Sequence, residues 1–176
     1  MSDSKMHTNP DGTTVSVPTD TIIIGDVWIG ARVQIGSNVT INGNRTVIGD
    51  DSVIGDNVTI GGGVTIGSNS RIDDNVKIGE YSTVGDNVRM CEGSTVGTEA
   101  KIGNNTIIGV NVRIGDEAAI GNNNHIGRSA KIKFGVIIGS STIIGADVRI
   151  PACWQIGDNK IVNPGNKATG FLPQIH

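Results

Sequence analysis

Branched aliphatic residues return along most of the chain at intervals of six. Every sixth residue from Ile48 to Ile156 is Ile, Val or Met. The same series runs upstream through Val17, Ile23, Ile29, Ile35 and Ile41. The step from Ile41 to Ile48 is one residue too long, which places a one-residue insertion within 42–47. An amphipathic helix does not have this period, so the pattern predicts short strands.

A second column of small or slender residues lies two positions before each isoleucine, as at Ser52 and Val58. Between the columns come pairs of turn residues such as Asp56-Asn57, which tolerate a left-handed backbone. Short strands separated by such corners predict an all-β parallel solenoid, a triangular prism around a rod of isoleucine. With about 18 residues in a coil of three strands, residues 15–162 make roughly eight coils without an inserted loop.

The limits of the repeat divide the chain into three segments. Residues 1–14 are a polar N-terminal tail or cap, residues 15–162 the solenoid, and residues 163–176 a C-terminal tail or cap. Unpaired strand edges at the ends of a solenoid invite edge-to-edge association. We therefore expect the terminal segments, with Phe171 and Leu172 in the second, to cover those edges.

Composition and charge narrow the class of protein. The chain has 176 residues, 26 of them glycine, with 3% aromatic residues and a formal net charge of −3. This charge provides no drive toward nucleic acid or an anionic membrane, and no apolar run is long enough to span a bilayer. The polar start lacks a signal-peptide core, and two cysteines are too few for a disulfide framework. We expect a cytoplasmic protein without nucleic-acid or membrane partners.

The repeat resembles that of the hexapeptide-repeat family, [Ile/Leu/Val]-Gly-x-x-[small]-x, as in IGDNVTIGGGVTIGSNS at 54–70. The resemblance covers about 140 residues. It implies a left-handed parallel β-helix, assembly as a homotrimer and, for many members, transfer of an acyl group from acyl-CoA or acyl-carrier protein. The family also includes zinc-dependent carbonic anhydrases and members with structural roles only, so the fold does not determine the function.

The residue just before each isoleucine is expected on a flat outer face, stacked with its equivalents on neighbouring coils. The first face carries Thr40, Thr59, Lys77, Thr95, Arg113, Lys131 and Arg149. The second face carries Val53, Arg71, Arg89, Ile107, His125 and Ile143. The third face carries Trp28, Val47, Thr65, Thr83, Lys101, Ala119, Ile137 and Gln155. The exposed isoleucines of the second face suggest a subunit interface.

The stretch AIGNNNHIGRSAKIKFG at 119–135 departs from the repeat at three positions. An inward corner residue becomes Asn124, His125 follows it, and Lys133 takes a glycine position. His125 is the only histidine within the repeats and is therefore the candidate general base of an acyltransferase. The candidates to hold the phosphates of coenzyme A are Arg113, Lys131, Lys133 and Arg149.

Each of these residues also has a purely structural interpretation. Asn124 shares its inward column with Thr106 and Thr142, and the three would form a polar ladder, since a buried unpaired amide costs about 1–3 kcal/mol. That ladder either satisfies the amide alone or also fixes the backbone that aims His125. His125 is otherwise an interface residue, and the cations are otherwise a solvated face paired with the acids of a neighbour.

Two functions follow from these alternatives. The first is an acyltransferase with acetyl-CoA or another acyl-CoA as co-substrate, acting on an amine or hydroxyl of a small acceptor between two subunits. The second is an inactive trimeric rod that serves as a scaffold or assembly element, which the regular repeat favours. A zinc-dependent carbonic anhydrase needs three histidine ligands, whereas the repeats contain one, and no metal is expected.

Overall fold

A computed structural model describes residues 3–165. These residues form 26 strands and no helix, which confirms the predicted all-β class. All strands from β3 (Ile22–Ile24) onward belong to three parallel sheets of eight strands, one sheet for each face of a prism. The eight strands of each sheet correspond to the eight predicted coils of a left-handed parallel β-helix.

Each sheet contains one strand from every coil. The first face consists of β3, β6 (Thr40–Asn42), β9 (Thr59–Ile60), β12 (Lys77–Ile78), β15 (Thr95–Val96), β18 (Arg113–Ile114), β21 (Lys131–Ile132) and β24 (Arg149–Ile150). The second consists of β5 (Gln34–Ile35), β8 (Val53–Ile54), β11 (Arg71–Ile72), β14 (Arg89–Met90), β17 (Ile107–Ile108), β20 (His125–Ile126), β23 (Ile143–Ile144) and β26 (Ile161–Val162). The third consists of β4 (Val27–Ile29), β7 (Thr46–Ile48), β10 (Thr65–Ile66), β13 (Thr83–Val84), β16 (Lys101–Ile102), β19 (Ala119–Ile120), β22 (Ile137–Ile138) and β25 (Gln155–Ile156).

The axis of the prism is filled by the residues of the six-residue series. Ile41, Ile60 and Ile108, for example, are fully buried, and so are the slender residues two positions before them. Each buried isoleucine contributes about 1.5–3 kcal/mol through the hydrophobic effect. Small residues are required at the corners because two consecutive strands of a coil meet there beside a narrow core.

The corners explain the polar part of the repeat. Asn57, Asn87 and Asn105 all have left-handed backbones, with φ values of 57°, 55° and 56°. The glycine that follows most residues of the six-residue series is required by the close approach of the next coil. A Cβ atom on Gly115, for example, would lie 2.6 Å from the backbone nitrogen of Phe134. Local backbone preference and stacking therefore act together to produce the repeat.

The predicted insertion is present between β6 and β7. Asn44 and Arg45 there have consecutive left-handed φ values of 78° and 68°. The pairing register records the extra residue, since Trp28 pairs with Val47 whereas Thr65 pairs with Thr83. The insertion therefore forms a bulge at the edge between the first and third faces and leaves the strands in register.

The segment before the coils is an antiparallel hairpin of β1 (Ser4–Thr8) and β2 (Thr14–Pro18). The predicted boundary at residue 15 falls within β2, and the parallel coils begin at Ile22. Asn9, after β1, binds the backbone of Ile29 on both sides. Its Nδ2 donates to the carbonyl at 2.9 Å, and its Oδ1 accepts the N–H at 2.8 Å. The hairpin thus satisfies backbone groups on the edge of β4.

At the other end, the structure describes the chain as far as residue 165, so Phe171 and Leu172 lie outside the described residues. Cover of that end by residues 163–176 stays a prediction. Residues 3–165 contain no helix of the length and apolarity that crossing a membrane requires.

Candidate functional site

Asn124 is the centre of a hydrogen-bonded ladder that crosses three coils. It is 2% exposed, and its Nδ2 donates to the carbonyls of Gly121 and Gly139 at 2.9 and 2.8 Å. Its Oδ1 accepts the backbone N–H of Thr142 at 2.7 Å. Its own backbone N–H donates to Oγ1 of Thr106 at 3.3 Å. The buried amide is therefore fully paired, mainly to backbone groups.

His125 lies on the second face, as the repeat predicts. Its strand pairs in parallel with β17 and β23, which place Ile107 and Ile143 on either side of it. These isoleucines are 41% and 47% exposed, and the imidazole is also exposed. No residue within 3–165 makes a hydrogen bond to the imidazole. His125 is thus an open histidine in an apolar strip of the protein surface.

The candidate cations lie on the first face and its edge. Arg113, Lys131 and Arg149 pair in register on adjacent coils. Lys133 follows β21 and is exposed at the edge between the first and third faces. Arg113, Lys131 and Lys133 line one surface depression of about 430 Å³, together with Phe134 and one carboxylate, that of Asp116. Arg149 is outside that lining, so the structure brings three of the four cations together.

The two basic regions of the surface differ in how their charge is balanced. On the second face, Asp73 binds both Arg71 and Arg89, at 2.6 and 3.4 Å. Among residues 3–165, no acidic side chain forms an ion pair with Arg113 or with the two cations stacked above it. Since like charges on neighbouring strands repel, the first face carries unneutralised positive charge suited to an anion.

The histidine and the cations do not form one site within a chain. They occupy different faces of a prism whose interior is filled by the isoleucine core. Side chains of one chain therefore cannot act on a common substrate unless it wraps around an edge. A second subunit that packs its first face near the second face of its neighbour would bring the two sets together.

No particular backbone donor near His125 was identified from the sequence. At several corners the backbone N–H donates to a side chain of the next coil, as Asp56 does to Oδ1 of Asp74 at 2.8 Å. The N–H of Arg128 has no such acceptor within the described chain, because Ala146 stacks over it. The available signal in the sequence was the alanine at 146, one coil after Arg128 in the same corner column, where a polar side chain could have accepted this N–H. This N–H is free to bind a negatively charged oxygen.

The remaining reactive groups are dispersed. Cys91 is half-buried and Cys153 is exposed, and both are free thiols. Across residues 3–165 there is no group of three His, Cys, Asp or Glu side chains arranged to hold a metal ion.

The comparisons with known proteins agree with this architecture. Residues 42–123 match the family model of the GMPPB C-terminal domain. No curated protein sequence matches the chain significantly. The chain has a six-residue repeat and the left-handed parallel β-helix fold of the acyltransferases that it resembles in structure.

Three of these solved structures define the similarity. The UDP-N-acetylglucosamine O-acyltransferase of Moraxella catarrhalis is 25% identical, with a TM-score of 0.80 over 84% of this chain and 64% of that one. The UDP-N-acetylglucosamine acyltransferase of Campylobacter jejuni is 21% identical, with a TM-score of 0.80 over the same shares. LpxA of Acinetobacter baumannii is 19% identical, with a TM-score of 0.60 over 83% and 64%. The chain thus spans less than two thirds, 64%, of the length of these proteins.

Proposed function

We propose that this protein is an acyltransferase that moves an acyl group, in the first instance acetyl from acetyl-CoA, to an amine or hydroxyl of a small acceptor. The site lies between two subunits of a homotrimer in the cytoplasm, with His125 as general base. The observation that carries the proposal is the open His125 on one face and the unneutralised cations on another, in a fold shared with an acyltransferase of 25% identity. The inactive-rod alternative gains no support from the similarities.

The cations supply the affinity for coenzyme A in this proposal. Arg113, Lys131 and Lys133 line the same depression, and Arg149 extends the positive column by one coil. Phosphate groups of the coenzyme would neutralise the repulsion between these side chains, and charge-assisted hydrogen bonds to phosphate are among the strong ones. The alternative, in which acidic residues of a neighbouring subunit neutralise the column, predicts that coenzyme A leaves the stability of the protein unchanged.

The chemistry requires one proton to be moved and then returned. Nε2 or Nδ1 of His125 takes the proton of the acceptor hydroxyl or amine as its oxygen or nitrogen attacks the thioester carbonyl. The negative charge that develops on the carbonyl oxygen is stabilised by a backbone N–H donor, for which that of Arg128 is the candidate. Collapse breaks the carbon–sulfur bond, and the imidazolium returns its proton to the coenzyme A thiolate. The products are the acylated acceptor and free coenzyme A.

Asn124, Thr106 and Thr142 act as positioning residues in this scheme. The ladder fixes the backbone on both sides of His125, whose own N–H donates to the carbonyl of Thr142 at 3.0 Å. Asn124→Thr replaces the amide by the hydroxyl found at Thr106 and Thr142 in the same column, and it is expected to lower kcat while leaving KM for the acyl donor unchanged. A purely structural ladder would change the thermal stability and leave both kinetic constants as they are.

Mixed trimers test the sharing of the site between subunits. His125→Ala and Lys131→Glu are each expected to be inactive, and each variant keeps the half of the site that the other lacks. Random assembly of equal amounts restores about one quarter of the interfaces and of the activity. If each chain held a complete site, no chain in the mixture would carry both His125 and Lys131, and the mixture would stay inactive.

A ligand-binding measurement tests the proposal without an acceptor. The midpoint of thermal unfolding is expected to rise with acetyl-CoA and with coenzyme A, and to change little with inorganic phosphate, because binding to the folded state alone stabilises it. Lys131→Glu should abolish the rise, whereas Lys77→Glu, on the same face but outside the depression, should preserve it. No rise with either coenzyme would refute the assignment of the cations.

A further inference from the structure

The single tyrosine of the chain occupies an unusual backbone position. Tyr81 lies at a corner with a left-handed φ of 56°. Equivalent corners carry Asn, Asp, Glu, Ser or Gly in most coils, because bulky side chains rarely adopt this conformation. A residue held in such a region costs of order 1–3 kcal/mol. Tyr81 is 53% exposed, so burial of the aromatic surface offsets only part of this cost.

The surroundings of Tyr81 are fitted to its ring. The amide of Asn44, in the bulge two coils away, donates to the phenol oxygen at 3.0 Å. The intervening corner is the glycine run 61–63. A Cβ on Gly63 would lie 2.6 Å from Cδ1 of Tyr81, and one on Gly62 would lie 2.7 Å from the carbonyl oxygen of Gly43. The bulge, the glycine corner and the ring therefore form a single structural unit.

This unit lines a surface cavity of about 310 Å³ that is open to solvent. Its side-chain lining consists of Ile24, Asn42, Asn44, Glu80 and Tyr81. We call this cavity the tyrosine notch. It lies at the edge between the first and third faces, opposite the face that carries His125, and the proposed acyl transfer makes no use of it.

We propose that the tyrosine notch binds a neutral sugar ring. The face of an aromatic ring carries partial negative charge and packs well against the polarised C–H groups of a pyranose. Amide and carboxylate groups match the hydroxyls around the rim of such a ring, since Asn both donates and accepts and Glu accepts. The lining thus combines an exposed aromatic surface with three polar side chains, the composition expected of a specific small-molecule site.

The charge of the lining excludes other ligand classes. Glu80 is its one ionisable carboxylate, and no lysine or arginine lines the notch. Phosphates and nucleotides would meet uncompensated negative charge there. A cationic ligand would use the ring and Glu80 but would leave the amide of Asn42 without a role. The volume is near the lower end of the ligand-pocket range of about 300–1,000 Å³, which suits one sugar ring.

Saturation-transfer NMR on the full chain tests this proposal with a panel of methyl glycopyranosides, namely glucoside, galactoside, mannoside and N-acetylglucosaminide. At least one glycoside is expected to receive saturation from the protein. Tyr81→Asn should weaken its binding at least about tenfold, because the stacking surface is removed. The variant is expected to fold at least as stably as the parent, since asparagine tolerates the left-handed backbone.

Two controls make the result decisive. Glu99→Asn changes the equivalent corner of the next coil, with φ of 57°, and should leave glycoside binding unchanged. Acyl transfer should be unaffected by Tyr81→Asn, so the two proposals fail separately. Absence of saturation transfer to every glycoside, equal binding by Tyr81→Asn, or binding of tetramethylammonium in place of the glycosides would each overturn the proposal.

Discussion

Oδ1 of Asn124 accepts a hydrogen bond from the backbone N–H of Thr142 at 2.7 Å. This bond joins two successive coils at the residue that precedes His125. Truncation to alanine would leave this N–H and the carbonyl of Gly139 without partners inside the prism, whereas the carbonyl of Gly121 keeps the hydroxyl of Thr106 at 3.2 Å. We expect Asn124→Ala to lower the free energy of unfolding by about 2–4 kcal/mol, measured by chemical denaturation. Asn124→Thr, which reproduces the residue at 106, should cost less. Equal stability of the alanine variant and the parent would contradict this account of the ladder.

Two buried serines provide a matched pair for the value of such hydrogen bonds. Oγ of Ser82 donates to the carbonyl of Gly97 at 2.7 Å, whereas Oγ of Ser94 is buried without a partner within the described chain. Ser82→Ala should destabilise the protein by about 1–2 kcal/mol. Ser94→Ala should be neutral or stabilising, because it removes an unpaired polar group from an apolar column. Destabilisation by both substitutions to the same degree would show that Ser94 has a partner in solution.

Removal of one charge from the first face should stabilise the protein in the absence of ligand. Lys131 lies between Arg113 and Arg149 in parallel register. Lys131→Gln is expected to raise the free energy of unfolding by about 0.2–1 kcal/mol at low ionic strength, because it relieves repulsion between neighbouring strands. The gain should shrink in 0.5 M salt, which screens exposed charges over about 3–10 Å. A loss of stability would mean that the cations are already neutralised.

His125 should be required for catalysis and dispensable for folding. His125→Ala is expected to reduce kcat by about 10²–10⁴-fold, the usual contribution of a general base, with the same oligomeric state as the parent by sedimentation. His125→Gln keeps a polar side chain of similar size and should be equally inactive. Full turnover by either variant would remove His125 from the mechanism.

The ion pair between Arg32 and Asp51 predicts an acid-dependent loss of stability. Arg32 Nε and Asp51 Oδ1 are 2.6 Å apart, and this hydrogen bond lowers the pKa of Asp51 below its ordinary value. A lowered pKa in the folded state stabilises the fold above the unfolded value of about 3.9, and this contribution is lost as the pH falls through the folded value. The difference in unfolding midpoint between the parent and Asp51→Asn should be constant from about pH 7 to 5 and should shrink as the pH falls below the unfolded value of about 3.9. A difference that grows on acidification would have the wrong sign.

The one-dimensional repeat made much of the fold predictable. The series at Ile60 and Ile66, the corner asparagines and the insertion within 42–47 all lie in the structure where the sequence places them. Stacking in register then assigns every outward residue to a face, including His125 to the second. The hydrogen-bond partners of the Asn124 side chain were harder to predict. Its amide donates to backbone carbonyls, whose directions depend on the exact backbone path.

Other features required contacts between distant parts of the chain. These features are the ion pairs of Asp73 with Arg71 and Arg89, the docking of the hairpin through Asn9, and the hydrogen bond from Asn44 to Tyr81. All of them depend on side-chain geometry. Spacing gives the coil on which a residue lies and leaves open how far its side chain extends across a corner. For that reason the tyrosine notch has no signature in the repeat.

The sequence by itself determined the period, the face on which each residue lies and the number of coils, because in a solenoid each strand contacts only its neighbours and burial recurs at fixed intervals. Only the tertiary structure decided which cations share a depression, which charges are paired and where an aromatic ring meets a bulge. Those outcomes depend on distances of a few ångströms between side chains of different coils, and a six-residue pattern does not specify such distances.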